Sequence, residues 1–151
     1  MNIAIVSGGF DPIHSGHLEY IKKAREIADC SKDGKLIAIV NKDSFLLQKK
    51  GYYCLDEKTR LDIVSNIKGI DSAILAVDND LTVCKTLEKL ADLYKNTMYQ
   101  LYFCKGGDRN SSNIPELLTC KKCGIKIIDG LGAKINSSSD IINRLKNMKK
   151  V

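Results

Sequence analysis

Residues 3–17 read Ile3-Ala4-Ile5-Val6-Ser7-Gly8-Gly9-Phe10-Asp11-Pro12-Ile13-His14-Ser15-Gly16-His17. The first four are apolar without interruption, the pattern of a strand covered on both faces rather than one with a wet side. Directly after His17, Leu18, Ile21, Ala24 and Ala28 fall on one face of a helix. Two glycines and a proline separate the two patterns. The stretch reads as strand, tight loop and helix, the opening of a βαβ unit.

The alternation continues along the chain. Leu36-Val40, Ala73-Val77, Gln100-Cys104 and Ile125-Ile128 have strand length and composition. Between them lie a helix led by Asp56 as N-cap (Leu61, Val64, Ile67) and one carrying Val83, Leu87, Leu90, Ala91 and Tyr94. A last helix carries Ile141, Ile142, Leu145 and Met148. These elements predict an α/β fold, a Rossmann-like doubly wound five-stranded parallel sheet with helices on both faces, in a single domain over residues 1–151.

With 44% hydrophobic and 28% charged residues, the composition is ordinary for a globular chain and excludes disordered or collagen-like classes. No apolar run approaches the ~20 residues of a membrane span, and Met1-Val6 lacks the basic flank of a secretory signal. A cytoplasmic protein without membrane association is expected, its six cysteines (Cys30, Cys54, Cys84, Cys104, Cys120, Cys123) reduced. Cys120-Lys121-Lys122-Cys123 has the spacing of half a zinc site, but no second pair and no nearby histidine complete it, so no metal ligands are assigned. The net charge of +6 favours an anionic ligand. Lys49-Lys50-Gly51-Tyr52-Tyr53 is the one basic stretch interleaved with aromatics, too little for a nucleic-acid surface.

In doubly wound sheets, ligands sit beyond the carboxyl ends of the strands. The loop after the first strand holds both histidines of the chain, His14 and His17. Its glycines allow backbone to approach a ligand, and a helix N-terminus adds unpaired N–H groups with about half a positive charge. Two imidazoles beside them can donate to phosphate oxygens as charge develops there. The plainer alternative is that one histidine caps the helix and the other packs. Lys105-Gly106-Gly107-Asp108-Arg109 follows the fourth strand and by itself signals only a turn. Asn136-Ser137-Ser138-Ser139-Asp140 precedes the last helix, where serine is a preferred cap. Lys49, Lys50 and Arg60 lie between the second and third strands.

The pattern Gly-x-Phe-Asp-x-x-His-x-Gly-His, here Gly8 to His17 directly after a strand, resembles the signature of the cytidylyltransferase-like nucleotidyltransferases. That superfamily shares His-x-Gly-His with class I aminoacyl-tRNA synthetases, which this length does not suit. The resemblance covers nearly the whole chain. It implies an NMP transfer from a nucleoside triphosphate to a small phosphorylated acceptor, with pyrophosphate released. It further implies that Gly8, Gly9, Phe10, His14, Gly16 and His17 surround the nucleotide phosphates. Lys105, Gly107, Asp108 and Arg109 would hold ribose and base, and Ser137, Ser138 and Ser139 the β- and γ-phosphates. Lys49 or Lys50 would reach the phosphates from a mobile loop, and Asp11, Lys49 and Arg60 would hold the acceptor. A Mg²⁺ ion carried mainly by the phosphates and a homodimer are also implied.

Phe10-Asp11-Pro12-Ile13-His14 looks like the nicotinate mononucleotide type, Lys105-Gly106-Gly107-Asp108 like heptose 1-phosphate adenylyltransferases, and the serines like phosphopantetheine adenylyltransferase. These resemblances favour ATP and a sugar phosphate such as heptose 1-phosphate, with CTP and glycerol 3-phosphate or a similar polyol or amino-alcohol phosphate next. Arg109 stands where such relatives often carry an aromatic residue. A nucleotide-binding sensor without turnover is the alternative from another class.

Overall fold

The computed structural model describes residues 1–106, 114–131 and 138–147. Its elements are β1 (Asn2–Gly8), α1 (Ser15–Asp29), β2 (Lys35–Val40), α2 (Asp43–Lys50), α3 (Glu57–Ser65), β3 (Ser72–Leu75), α4 (Cys84–Leu93), β4 (Gln100–Gly106), α5 (Leu117–Cys123), β5 (Lys126–Leu131) and α6 (Ser138–Lys146). The five strands form one parallel sheet in the order β3-β2-β1-β4-β5. Strand order reverses between β1 and β4, so the crevice beyond their carboxyl ends is where a ligand collects. The loop after β1 opens onto it.

Strand alternation divides the core in two. Ile3, Ile5, Ile37, Ile39, Leu101 and Phe103 pack with Val83, Leu87 and Leu90 at α4 and Cys120 of α5. Ala4, Val6, Leu36, Ala38, Val40 and Cys104 pack under Tyr20, Ile21, Ala24 and Ala28 of α1 and Val64 of α3. Ile3, Ala4, Ile5 and Val6 are all 0% exposed, which is why the run is apolar without a break. Burying each large member contributes about 1.5–3 kcal/mol.

The structure differs from the sequence reading at several boundaries. β3 stops at Leu75, because the next residues turn to meet α4; the Val77 N–H donates to Thr86 Oγ1 at 3.0 Å. β4 and β5 run further than expected, to Gly106 and Leu131, with a register shift between Cys104 and Gly106. Lys105, Gly106 and Gly130 are therefore strand residues. α2 was not expected at all, since Leu46 is its only buried residue and its apolar period is faint. Lys49 and Lys50 form the last turn of this helix, which Gly51 ends at φ +84°, rather than a loop. In α6, Ile142 packs at 9% exposure while Leu145 stays 60% exposed, so its apolar face is narrower than the pattern implied.

Cys120 lies in the core, and burial pushes its thiol up to about 12, so it is an inert packing group. Among the described residues no helix is long and apolar enough to cross a membrane, and no group of three or more His, Cys, Asp or Glu side chains is gathered to hold a metal.

Candidate active site

The two histidines build the N-terminus of α1 between them. His14 is the N-cap: its Nδ1 accepts from the Gly16 N–H at 3.0 Å. His17 reaches back, its Nδ1 accepting from the His14 N–H at 3.2 Å. This reciprocal arrangement is a capping box made of imidazoles. Because both Nδ1 atoms accept, the ring proton of each neutral imidazole sits on Nε2, away from the helix. The capping role thus uses Nδ1 of each ring and leaves Nε2 out of it. The rings stack with centroids 3.8 Å apart. Burial, then His14, then Lys50 push the His17 pKa down to about 3; burial and Lys50 lower that of His14. The pair is neutral near pH 7, and each ring offers one Nε2–H donor.

The surrounding loop holds this pair in place. Phe10 adopts φ +52°, is 2% exposed and meets His17 edge-on at 5.1 Å. A Cβ on Gly9 would lie 2.8 Å from Leu46 Cδ2, so α2 packs against the loop only because that side chain is missing. The Tyr20 hydroxyl donates to the Cys104 carbonyl and accepts from the Ser7 N–H at 3.3 Å, fastening α1 to both strands at the crossover. Lys105 Nζ lies 3.2 Å from Ser7 Oγ, at the carboxyl ends of β1 and β4.

Of the two adjacent lysines, the charge of Lys50 bears on both histidines. Lys49 Nζ lies over the Phe45 ring at 5.6 Å. Of the two, it is the Lys50 charge that falls on the histidine pair.

Two expected acceptor ligands are placed otherwise. Asp11 is 3% exposed, and its oxygens accept from the Cys54 and Leu55 N–H groups at 2.6 and 2.8 Å. It clasps the segment after α2 to the β1 loop. Arg60 is 1% exposed and uses four of its five N–H donors internally. Nε donates to the Leu55 carbonyl (2.8 Å), NH1 to those of Gly9 (3.0 Å) and Asn41 (2.6 Å), and NH2 to Asp43 Oδ1 (2.7 Å). A guanidinium so enclosed braces the glycine loop from beneath.

Gly107, Asp108, Arg109 and Ser137 lie outside the described residues; Ser138 and Ser139 open α6. Sequence reasoning missed Asn41, 6% exposed just past β2, and Glu116, 4% exposed before α5. Extending the strand alternation of Ile37 and Ile39 by one step would have found Asn41. Glu116 carries no comparable signal.

The family model described as cytidylyltransferase-like matches residues 5–144. The chain belongs to that family. A FAD synthase of Methanothermus fervidus is 40% identical over 86 residues, 57% of this chain and 57% of that protein. The chain thus spans little more than half the length of that curated relative, and the share is similar, 50%, for the 33% identical FAD synthase of Methanobrevibacter smithii. A protein of Pelagibacter ubique named "Probable nicotinate-nucleotide adenylyltransferase" is 29% identical over 99% of this chain and 87% of its own. Among solved structures, the lipopolysaccharide core biosynthesis protein of Thermoplasma volcanium superposes with a TM-score of 0.65 at 24% identity, covering 86% of this chain and 96% of that one. At that identity the likeness speaks for the fold alone.

Proposed function

We propose that this member of the cytidylyltransferase-like family transfers the adenylyl group of ATP to the phosphate of a small phosphorylated acceptor. The observation that carries the reading is the imidazole capping box: two neutral rings, fixed through Nδ1, that aim their Nε2–H donors where the N-terminus of α1 and the Lys50 charge already favour an anion. In this reading an acceptor phosphate oxygen attacks the α-phosphorus in line. A new P–O–P linkage forms, the bond from the α-phosphorus to its bridging oxygen breaks, and pyrophosphate leaves with that electron pair. An ionised phosphate needs no general base, so the protein contributes positioning and charge stabilisation. His14 and His17 donate to the α- and β-phosphates and Lys50 faces the growing charge. Lys105, Gly107, Asp108 and Arg109 take the ribose and base, and Ser137, Ser138 and Ser139 the leaving pyrophosphate.

A Mg²⁺ ion suits this site as a passenger of the triphosphate, where it neutralises charge on the phosphate oxygens. The carboxylate within the histidine motif, that of Asp11, is already bonded to two backbone N–H groups, so the phosphates would supply most of the ligands.

The names of the relatives favour a flavin or nicotinate mononucleotide over the sugar phosphate suggested by the Lys105-Asp108 loop. FMN is the first acceptor to try. The test measures pyrophosphate release with ATP or CTP against FMN, nicotinate mononucleotide, a sugar 1-phosphate and glycerol 3-phosphate. ATP with FMN or nicotinate mononucleotide should turn over. Tight ATP binding without turnover on any acceptor would replace this reading with a sensor.

A further inference from the structure

The ladder between β1 and β4 stops short of the ends of both strands. Asn2 to Ile5 pair with Gln100 to Phe103, and beyond them β1 and β4 run on to Gly8 and Gly106 without pairing each other. On its other side β1 stays paired with β2 through Gly8 and Val40. The parting is confined to the side of β1 where strand order reverses.

The register identifies the bond that is replaced. At the start of the ladder the Gln100 N–H donates to the Met1 carbonyl at 2.8 Å. Alternate residues of a strand bond to the same neighbour, so Met1, Ile3, Ile5 and Ser7 present their backbone groups to β4. The rung that would follow Ile5 runs from the Ser7 N–H to the Cys104 carbonyl. Both groups are bonded instead to a single oxygen. The Ser7 N–H donates to the Tyr20 hydroxyl at 3.3 Å, and that hydroxyl donates to the Cys104 carbonyl. A direct rung spans ~2.9 Å, and an oxygen inserted into it holds the two strands further apart.

The surroundings keep the tyrosine in this position. Tyr20 is 9% exposed on the buried face of α1, one turn after His17. Burial first, then Cys104, hold its hydroxyl above the ordinary range, so it keeps the proton it donates. A Cβ on Gly106 would lie 3.1 Å from Tyr20 Cδ1, so the ring occupies space that a side chain at the end of β4 would need. β4 changes register against β5 at the same point, between Cys104 and Gly106.

We propose that Tyr20 is a positioning residue for the nucleotide, a wedge whose hydroxyl replaces a β1–β4 rung and so sets the width of the crevice between the histidine loop and the carboxyl end of β4. This rests on the transferase reading, in which the phosphates lie on the β1 side and the ribose and base on the β4 side. It adds what holds the two sides at the separation one nucleotide needs, without any contact between Tyr20 and the ligand.

The test is Tyr20→Phe, which keeps the ring and removes the oxygen. The Ser7 N–H and the Cys104 carbonyl should then close into a direct rung, read by NMR as a through-hydrogen-bond coupling that the wild type lacks. ATP affinity, measured by calorimetry, should weaken by about tenfold or more as the crevice narrows. Tm should hold, because neither backbone group is left unpaired. Replacing Tyr20 by para-aminophenylalanine, whose amino group still spans the gap, should restore ATP affinity. A lowered Tm with ATP affinity intact would make the hydroxyl a structural bond only and overturns the proposal, as does a closed rung with unchanged affinity. If Tyr20→Phe does not fold, the wild type decides: a direct Ser7–Cys104 coupling, free or with ATP bound, overturns the wedge, and its absence beside a visible Ile5–Tyr102 coupling supports it. ATP binding without turnover on any acceptor removes the transferase reading alone, and the affinity comparison still decides the wedge. A wild type that binds no ATP overturns both.

Discussion

The first turn of α1 and the buried lattice around Arg60 are both polar, both touch the glycine loop and both carry motif residues expected to bind phosphate. In the first turn, His14 and His17 bond to backbone two or three residues away and use one ring nitrogen each, leaving the other for a ligand. In the lattice, Asp11 and Arg60 bond to backbone as far as 43 to 51 residues away in sequence; four of the five Arg60 donors are used, and each Asp11 oxygen already accepts one N–H. Whether a motif residue binds substrate or braces the site depends on how much hydrogen-bonding capacity the fold has already taken from it.

Arg60→Ala should give the largest effect. It strips the partner from Asp43 and from the Gly9, Asn41 and Leu55 carbonyls, and should cost about 3–5 kcal/mol in denaturant unfolding. Near-normal stability with activity alone lost would make Arg60 a ligand and dissolve the contrast. His17→Ala comes next, with kcat falling by about 10²-fold and unfolding stability by only about 1 kcal/mol from the lost cap. A stability loss as large as that of Arg60→Ala would place His17 in the bracing class.

The pH dependence sharpens the same division. His17 sits at about 3 when folded against 6.5 in its ordinary state, so the unfolded chain takes the proton first. The stability linked to this group is fully present above pH 6.5 and is lost as pH falls towards 3. Activity should instead follow the acceptor phosphate's own second ionisation, at about pH 6, so its acid limb should move when an acceptor of different phosphate pKa is used. An acid limb that stays put when the acceptor is changed would mean that the imidazole works as a cation. The smallest effect belongs to the lysines: Lys50→Ala should lower kcat and raise both histidine pKa values by removing a repulsive charge, readable by NMR titration. Lys49→Ala should stay within about 0.5 kcal/mol of the wild type in stability and move neither histidine.

Much of this was legible in the residues because the physics is local. The unbroken run Ile3-Val6 announced a strand buried on both faces, and Asp56 announced the start of α3, where its carboxylate accepts from the Thr59 N–H at 2.7 Å. The histidine spacing announced a helix start, which His14 and His17 cap. What stayed hidden depends on distant partners. Nothing near Arg60 shows that Gly9 and Asn41 take its donors, nothing near Glu116 shows that it bonds to Val83, and α2 is too short and too weakly amphipathic to declare itself.

The Asp11 clasp has a consequence for the order in which the protein becomes competent. The motif from Gly8 to His17 leaves the ribosome before the groups that fix it, since the Cys54 and Leu55 amides and the Arg60 guanidinium are made some 40 to 50 residues later. A nascent chain that has exposed only β1, α1 and β2 carries the whole signature without the geometry. The contacts from Cys54, Leu55 and Arg60 reach its histidine loop only once α3 has docked, so this part of the site is completed by a later arrival.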